Sequence, residues 1–201
     1  MHESSHTPPI PEPGAAVPRR GNAFTRGLAA SCLRLSGWSF EGEMPDCGKL
    51  VIIAAPHTSN WDFVFGMTGA FALGLELHWM GKHTLFKPPF GGVMRWLGGL
   101  AIDRRAAHGV VEQVADEFAR RGQLLLVVTP EGTRSKVERW KTGFWHIARA
   151  AGVPILLGGL DYGRKRLVFG PLLEPGASLE EDMAMIQAHY RGMTPRHPEL
   201  F

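Results

Sequence analysis

The sequence predicts an α/β fold: a single domain with a mostly parallel or mixed central sheet flanked by helices, preceded by an N-terminal amphipathic helix. Three observations predict it. Short β-branched apolar runs, Val51-Ile52-Ile53 and Leu124-Leu125-Leu126-Val127-Val128 among them, alternate with longer helical stretches from residue 49 onward, as in a chain of strand–helix units. These runs are apolar at consecutive positions, as strands covered on both faces require. With 201 residues, 44% hydrophobic and 20% charged, the chain can build one substantial core and has an ordinary globular composition. No internal repeat or second domain interrupts the pattern.

Residues 1–22 contain five prolines between positions 8 and 18 and no continuous apolar core, so they read as a flexible leader and not as a secretory signal. Phe24, Leu28, Cys32, Leu35 and Trp38 then recur at three- and four-residue spacing, with Arg20, Arg26 and Arg34 close by. That periodicity predicts a helix over 23–38. The segment 23–40 has two readings: it lies in a membrane interface through its Phe and Trp, or it packs on the domain's own core.

The domain proper is expected over 41–201. Strand 50–55 leads into a helix at about 60–74, where Ser59 and Asp62 have the spacing of a capping box. Strand 76–81, a Pro/Gly-rich loop, a short helix near 91–97 and strand 99–102 follow. Helix 106–121, strand 123–128 and helix 139–150 come next. Strands 153–159 and 166–169 flank Asp161-Tyr162-Gly163-Arg164, which reads as a hairpin turn. Ser178 and Glu181 mark the start of a final helix at 179–190.

Two loops carry the candidate chemistry. Pro56-His57-Thr58-Ser59-Asn60-Trp61-Asp62 follows one apolar strand, and Thr129-Pro130-Glu131-Gly132-Thr133-Arg134-Ser135 follows another. Both therefore fall at carboxyl ends of strands, where open α/β sheets place their sites. The first offers His57 with Asp62 five residues on, an imidazole and a carboxylate to orient it. The second offers Gly132 for close backbone approach, the Thr133 hydroxyl and the Arg134 guanidinium, whose fork matches a phosphate. A base beside an anion grip outlines an enzyme acting on a phosphorylated alcohol. The competing reading makes Asp62 a mere helix cap and the second loop a tight turn with a surface arginine. Trp61 is read as a wall of the site or an ordinary buried aromatic, and Thr58, Ser59 and Asn60 as candidate oxyanion donors.

Composition narrows the partners. Net charge is only +3, but Arg104-Arg105, Arg120-Arg121, Arg134-Lys136, Arg139-Lys141 and Arg164-Lys165-Arg166 form repeated basic spots. These suit anionic lipid head groups, coenzyme A or an acidic carrier protein. No helix-turn-helix, zinc-finger or RNA-binding signature accompanies them, so no nucleic-acid partner is expected. Cys32 and Cys47 form neither a disulfide framework nor a metal pattern, which suits a reducing compartment. The remaining histidines lack zinc spacing, and no metal is expected. The longest uncharged apolar stretch, 63–75, is too short to span a bilayer, which takes about 20 residues.

Taken together, these blocks resemble the glycerolipid acyltransferase family, whose best-known members are the 1-acyl-glycerol-3-phosphate (lysophosphatidic acid) acyltransferases. The resemblance covers about residues 50–160. Its blocks are His57 to Asp62; Gly98-Gly99-Leu100-Ala101-Ile102-Asp103-Arg104, preceded by Lys82 and Phe86 to Gly91; Glu131-Gly132-Thr133-Arg134-Ser135; and Val153-Pro154-Ile155. The family usually has a bulkier residue where Ala101 stands. The resemblance implies an O-acyltransferase that moves a fatty acyl group from acyl-CoA or acyl-carrier protein to the hydroxyl of a lysophospholipid or glycerol phosphate. His57 would be the general base, with no acyl-enzyme and no cofactor beyond the acyl thioester. It also implies that the third block binds the acceptor's phosphate with Arg134 as the main clamp, and Lys82 and Arg104 are second candidates for that anion. Glu131 would orient Arg134 or the loop. Such a protein would be cytoplasmic and peripheral on the inner face of the cell membrane. Three other activities use the same residues: acyl transfer to a phosphate-free lipid such as an aminolipid, thioester or lipid hydrolysis with water at the same base, and non-catalytic lipid binding.

Overall fold

A computed structural model describes residues 10–102 and 109–201. Its element order is α1 (Ala23–Ser36), β1 (Ser39–Glu41), β2 (Lys49–Ala54), α2 (Asn60–Leu73), β3 (Leu77–Lys82), α3 (Gly91–Trp96), β4 (Gly99–Ile102), α4 (Val110–Arg120), β5 (Leu124–Val128), α5 (Gly143–Ala151), β6 (Ile155–Asp161), β7 (Arg166–Leu173) and α6 (Leu179–Tyr190). The strands form one seven-stranded sheet in the order β1-β7-β6-β2-β5-β3-β4. From β6 to β4 every pairing is parallel; β7 runs antiparallel to β6, and β1 pairs parallel with β7. The α/β expectation holds.

Strand pleat divides the core. In β2, Val51 and Ile53 join one buried cluster with Val114, Phe118, Phe144 and Ile186 from α4, α5 and α6. Leu50 and Ile52, pointing the other way, join Ala70 and Leu73 of α2. Both faces are therefore covered, which is why the strands are apolar at successive positions. Burying one such Leu or Ile contributes about 1.5–3 kcal/mol, so this sandwich, not helix propensity, holds the helices in place.

Four local readings need correction. The leader is not free over residues 10–22: Val17 is buried against Leu50 and Leu75, Ala16 N–H donates to Asp46 Oδ1 at 2.7 Å, and Arg19 bridges to Leu75. Proline enrichment suggested a solvated chain, but prolines equally suit an extended segment laid over a surface. The second correction concerns α1, which stops at Gly37, a left-handed residue at φ 78°. Ala29 and Leu33 face inward, while Phe24, Leu28 and Leu35 are 77%, 57% and 89% exposed. Phe24, Leu28 and Leu35 thus point away from the core, whereas Ala29, Leu33 and, just past the helix, Trp38 are buried in it. Third, β1 is a strand that the sequence did not announce, and β7 runs on past Pro171. Proline fits there because β1 pairs only with residues 166–168 and the pairing with β6 shifts register between Leu156 and Gly158, a bulge opposite this stretch. Last, α5 begins at Gly143, not near 139. Among the described residues no helix is long and apolar enough to cross a membrane.

Candidate active site

Because β2, β3, β5 and β6 run the same way, the segments that follow them meet along one edge of the sheet. The loop after β2 carries His57. Ser59 starts α2: its Oγ accepts from Trp61 N–H at 3.2 Å, and its own N–H donates to Asp62 Oδ2 at 2.9 Å. Asp62 Oδ2 also accepts from Thr58 N–H at 2.9 Å and from His57 Nδ1 at 3.1 Å. The two readings of Asp62 are therefore not alternatives. One carboxylate caps the helix and fixes the imidazole.

Burial pushes the Asp62 carboxyl up. Hydrogen bonds from His57, Tyr162 and Ser59 N–H outweigh it and leave the group below the ordinary aspartate value. Asp62 is thus ionised at neutral pH. With Nδ1 held, Nε2 has no protein partner among the described residues, and the ring borders a cavity of about 750 Å³. Its walls are largely apolar and include Phe63, Met67, Leu77, Trp79, Val127 and Phe144.

Gly132 and Lys141 line the same cavity, bringing the second loop to it. Gly132 sits at φ 64°, the left-handed region that favours glycine, with the Lys141 side chain folded against it. Thr133 Oγ1 accepts from Ser135 N–H at 3.3 Å, shaping the turn. Arg134 is exposed and has no hydrogen-bond or ion-pair partner among the described residues.

Glu131 has a different position from the one expected. It is buried, and its Oε1 accepts from His57 N–H at 3.0 Å, so it orients the His57 loop and not Arg134. Burial pushes its carboxyl above the usual value, against the hydrogen bonds it accepts, and its Oε2 has no partner among the described residues. Lys82 ends β3 at this edge, in register with Ile102. Arg104 lies outside the described residues.

Of the candidate oxyanion donors, the Thr58 and Ser59 N–H groups are already used by Asp62, and neither residue lines the cavity. Asn60 lines the cavity and remains. Trp61 is half-exposed under Arg196, 5.5 Å from its ring, and does not line the cavity. Sequence reasoning missed Tyr162, whose hydroxyl donates to Asp62 Oδ1 at 2.7 Å from the turn after β6. Only the turn signal around it was visible in the sequence.

Comparison with known proteins adds an independent line. A family model described as Acyltransferase matches residues 40–156, more than half of the chain. The 1-acyl-sn-glycerol-3-phosphate acyltransferase of Escherichia coli K12 is 38% identical over 112 residues, covering 52% of this chain and 44% of that protein. The Haemophilus influenzae protein of the same name is 31% identical over 132 residues, 61% of this chain and 53% of its own. The chain thus spans about half the length of the curated relatives it matches. The crystal structure of the 1-acyl-sn-glycerophosphate acyltransferase PlsC from Thermotoga maritima superposes with a TM-score of 0.61 over 86% of this chain and 80% of that one; at 18% identity the likeness is one of fold. The matched segment contains both loops and the strands that bring them together, and on that ground the chain belongs to the acyltransferase family.

Proposed function

We propose that this protein is an O-acyltransferase that moves a fatty acyl group from an acyl thioester, acyl-CoA or acyl-carrier protein, to the hydroxyl of a lysophospholipid or glycerol phosphate. One observation carries the reading. A buried carboxylate holds His57 Nδ1, and His57 lines a largely apolar cavity of about 750 Å³ that has room for a chain. His57 Nε2 takes the acceptor hydroxyl proton as that oxygen attacks the thioester carbonyl carbon. The C–S bond then breaks, and the imidazolium returns its proton to the departing thiolate. In this reading the acceptor oxygen attacks directly, without an acyl-enzyme. No cofactor takes part beyond the acyl thioester.

Arg134 is assigned to the acceptor phosphate. Its exposure and lack of a partner leave the guanidinium available for a bidentate contact. Lys82 and Arg104 are secondary candidates for the same anion. For a membrane-borne acceptor we assign the outward apolar face of α1, flanked by Arg26 and Arg34, to the surface of an anionic bilayer, which would make the protein peripheral on the cytoplasmic face of the cell membrane.

The test is a mass-spectrometric survey of products from mixed lyso-lipids and acyl donors. Acylated lyso-phospholipid is the expected product. Acylation confined to phosphate-free lipids would move the function to an aminolipid-type acceptor. Thioester turnover without any acylated lipid would make the protein a hydrolase, and no turnover of any kind would leave only lipid binding.

A further inference from the structure

Asp62 has two carboxylate oxygens with unequal company. Oδ2 accepts from Thr58 N–H, Ser59 N–H and His57, all within five residues of chain. Oδ1 accepts from Tyr162 O–H at 2.7 Å, across 100 residues. Tyr162 is held firmly. Its ring meets Trp38 edge-on at 4.9 Å and Phe65 at 6.2 Å, and its N–H donates to Thr194 O at 2.8 Å. The Arg196 guanidinium lies 5.7 Å from the ring centre. Next to it Arg164 is tied to Asp161 and Glu41, which keeps the turn in place.

Resting on the acyltransferase reading, we propose that Tyr162 is a positioning residue for the catalytic pair, its hydroxyl keeping the Asp62 carboxylate ionised and aimed at His57. Burial and then the neighbouring carboxylate drive the phenol well above its ordinary pKa, with Arg196 opposing. The hydroxyl therefore remains a donor throughout the working pH range. Without it, Oδ1 would sit in a buried site with no protein donor among the described residues, and the carboxylate would bind a proton more readily. The ionisable or charged groups facing the pair are His57 itself, Glu131 from the loop after β5, Tyr162 from the turn after β6 and Arg196 from the C-terminal segment. Among the described residues only Tyr162 touches Oδ1.

The experiment is the pH dependence of kcat/KM for the full chain, with palmitoyl-CoA and 1-acyl-glycerol-3-phosphate in detergent micelles. In Tyr162→Phe the ring packing stays and only the hydroxyl goes. The acid limb should move up by about one pH unit and kcat should fall about tenfold, with both KM values little changed. In an Asp62→Asn background the same substitution should cost almost nothing, because Tyr162 acts through the carboxylate. An unmoved acid limb, or an equal loss in both backgrounds, overturns the proposal. Should Tyr162→Phe not fold, biosynthetic 3-fluorotyrosine decides, since the chain has only two tyrosines. A stronger phenol donor should move the acid limb down, and an unmoved limb again rejects the idea. His57→Ala separates the levels: wild-type turnover there removes the dyad and Tyr162 together, whereas a dead His57→Ala beside an unshifted Tyr162→Phe removes Tyr162 alone.

Discussion

The backbone N–H of His57 donates to Glu131 Oε1 at 3.0 Å, joining two loops 74 residues apart in sequence. Glu131 is thereby part of what holds the His57 loop in place, although it belongs to the block proposed to bind the acceptor's phosphate. Glu131→Gln keeps an acceptor for that N–H and should retain most activity and stability. Glu131→Ala leaves the N–H without its partner and should cost about 1–3 kcal/mol of stability and a larger share of kcat. Melting curves beside kinetics test this, and equal behaviour of Gln and Ala would refute the tie.

If His57 is the proposed base, His57→Ala should reduce transfer by about 10²–10⁴-fold without unfolding the protein. Asp62→Asn should lose activity and, in addition, stability, because the same carboxylate accepts from Ser59 N–H at the start of α2. Circular dichroism melts separate the two effects.

The Asp62 carboxyl is depressed in the folded protein, so its contribution has a definite sign with pH. It is complete above the unfolded value near 3.8 and is lost as pH falls through the lower folded value. Stability of the wild type should therefore fall more steeply than that of Asp62→Asn below about pH 4 in acid titrations. Parallel acid limbs would show that Asp62 is not stabilised by its partners.

Arg134→Ala should raise acceptor KM strongly and donor KM little, with Arg134→Lys between it and the wild type. A phosphate-free lyso-lipid should lose little further. Equal losses with both acceptors would point to general loop damage and reject the clamp.

Replacing Phe24, Leu28 and Leu35 with serine should weaken flotation with anionic vesicles several-fold while leaving the melting temperature unchanged, since all three are exposed. Binding should also fall with added salt. Deleting residues 1–38 would be a poor test, because Val17, Leu33 and Trp38 are buried and their loss would disturb the core. Unaltered flotation of the serine variant would move the membrane contact off α1.

The parts of the fold legible in sequence were those with a dense local signal. Val51 to Ile53 and Leu124 to Val128 announced two central strands, and Ser59 with Asp62 announced the start of α2. Short β1 offered three residues and no periodicity, so it could not be seen. In α1 the apolar spacing was visible but its direction was not. Which face turns inward depends on α2. The contact between His57 and Asp62 was legible because loop and helix cap are sequence neighbours. The tie from Glu131 to His57 and the donor Tyr162 were not, because each depends on sheet order bringing distant loops to one edge.

Sheet direction has a consequence for traffic. Since β7 runs against β6 and β1 follows β7, the first residue of β1, Ser39, stands in register with Arg166, just past the Tyr162 turn. The chain therefore leaves α1 on the same rim that carries His57, and Trp38 already touches Tyr162 there. Had β1 run with β2, the end of α1 would lie at the opposite rim, a full strand length from the imidazole. As built, the end of α1 and the imidazole share one rim, so a lipid drawn from the bilayer surface proposed beneath α1 would reach His57 by a sideways step, without travelling over the face of the sheet.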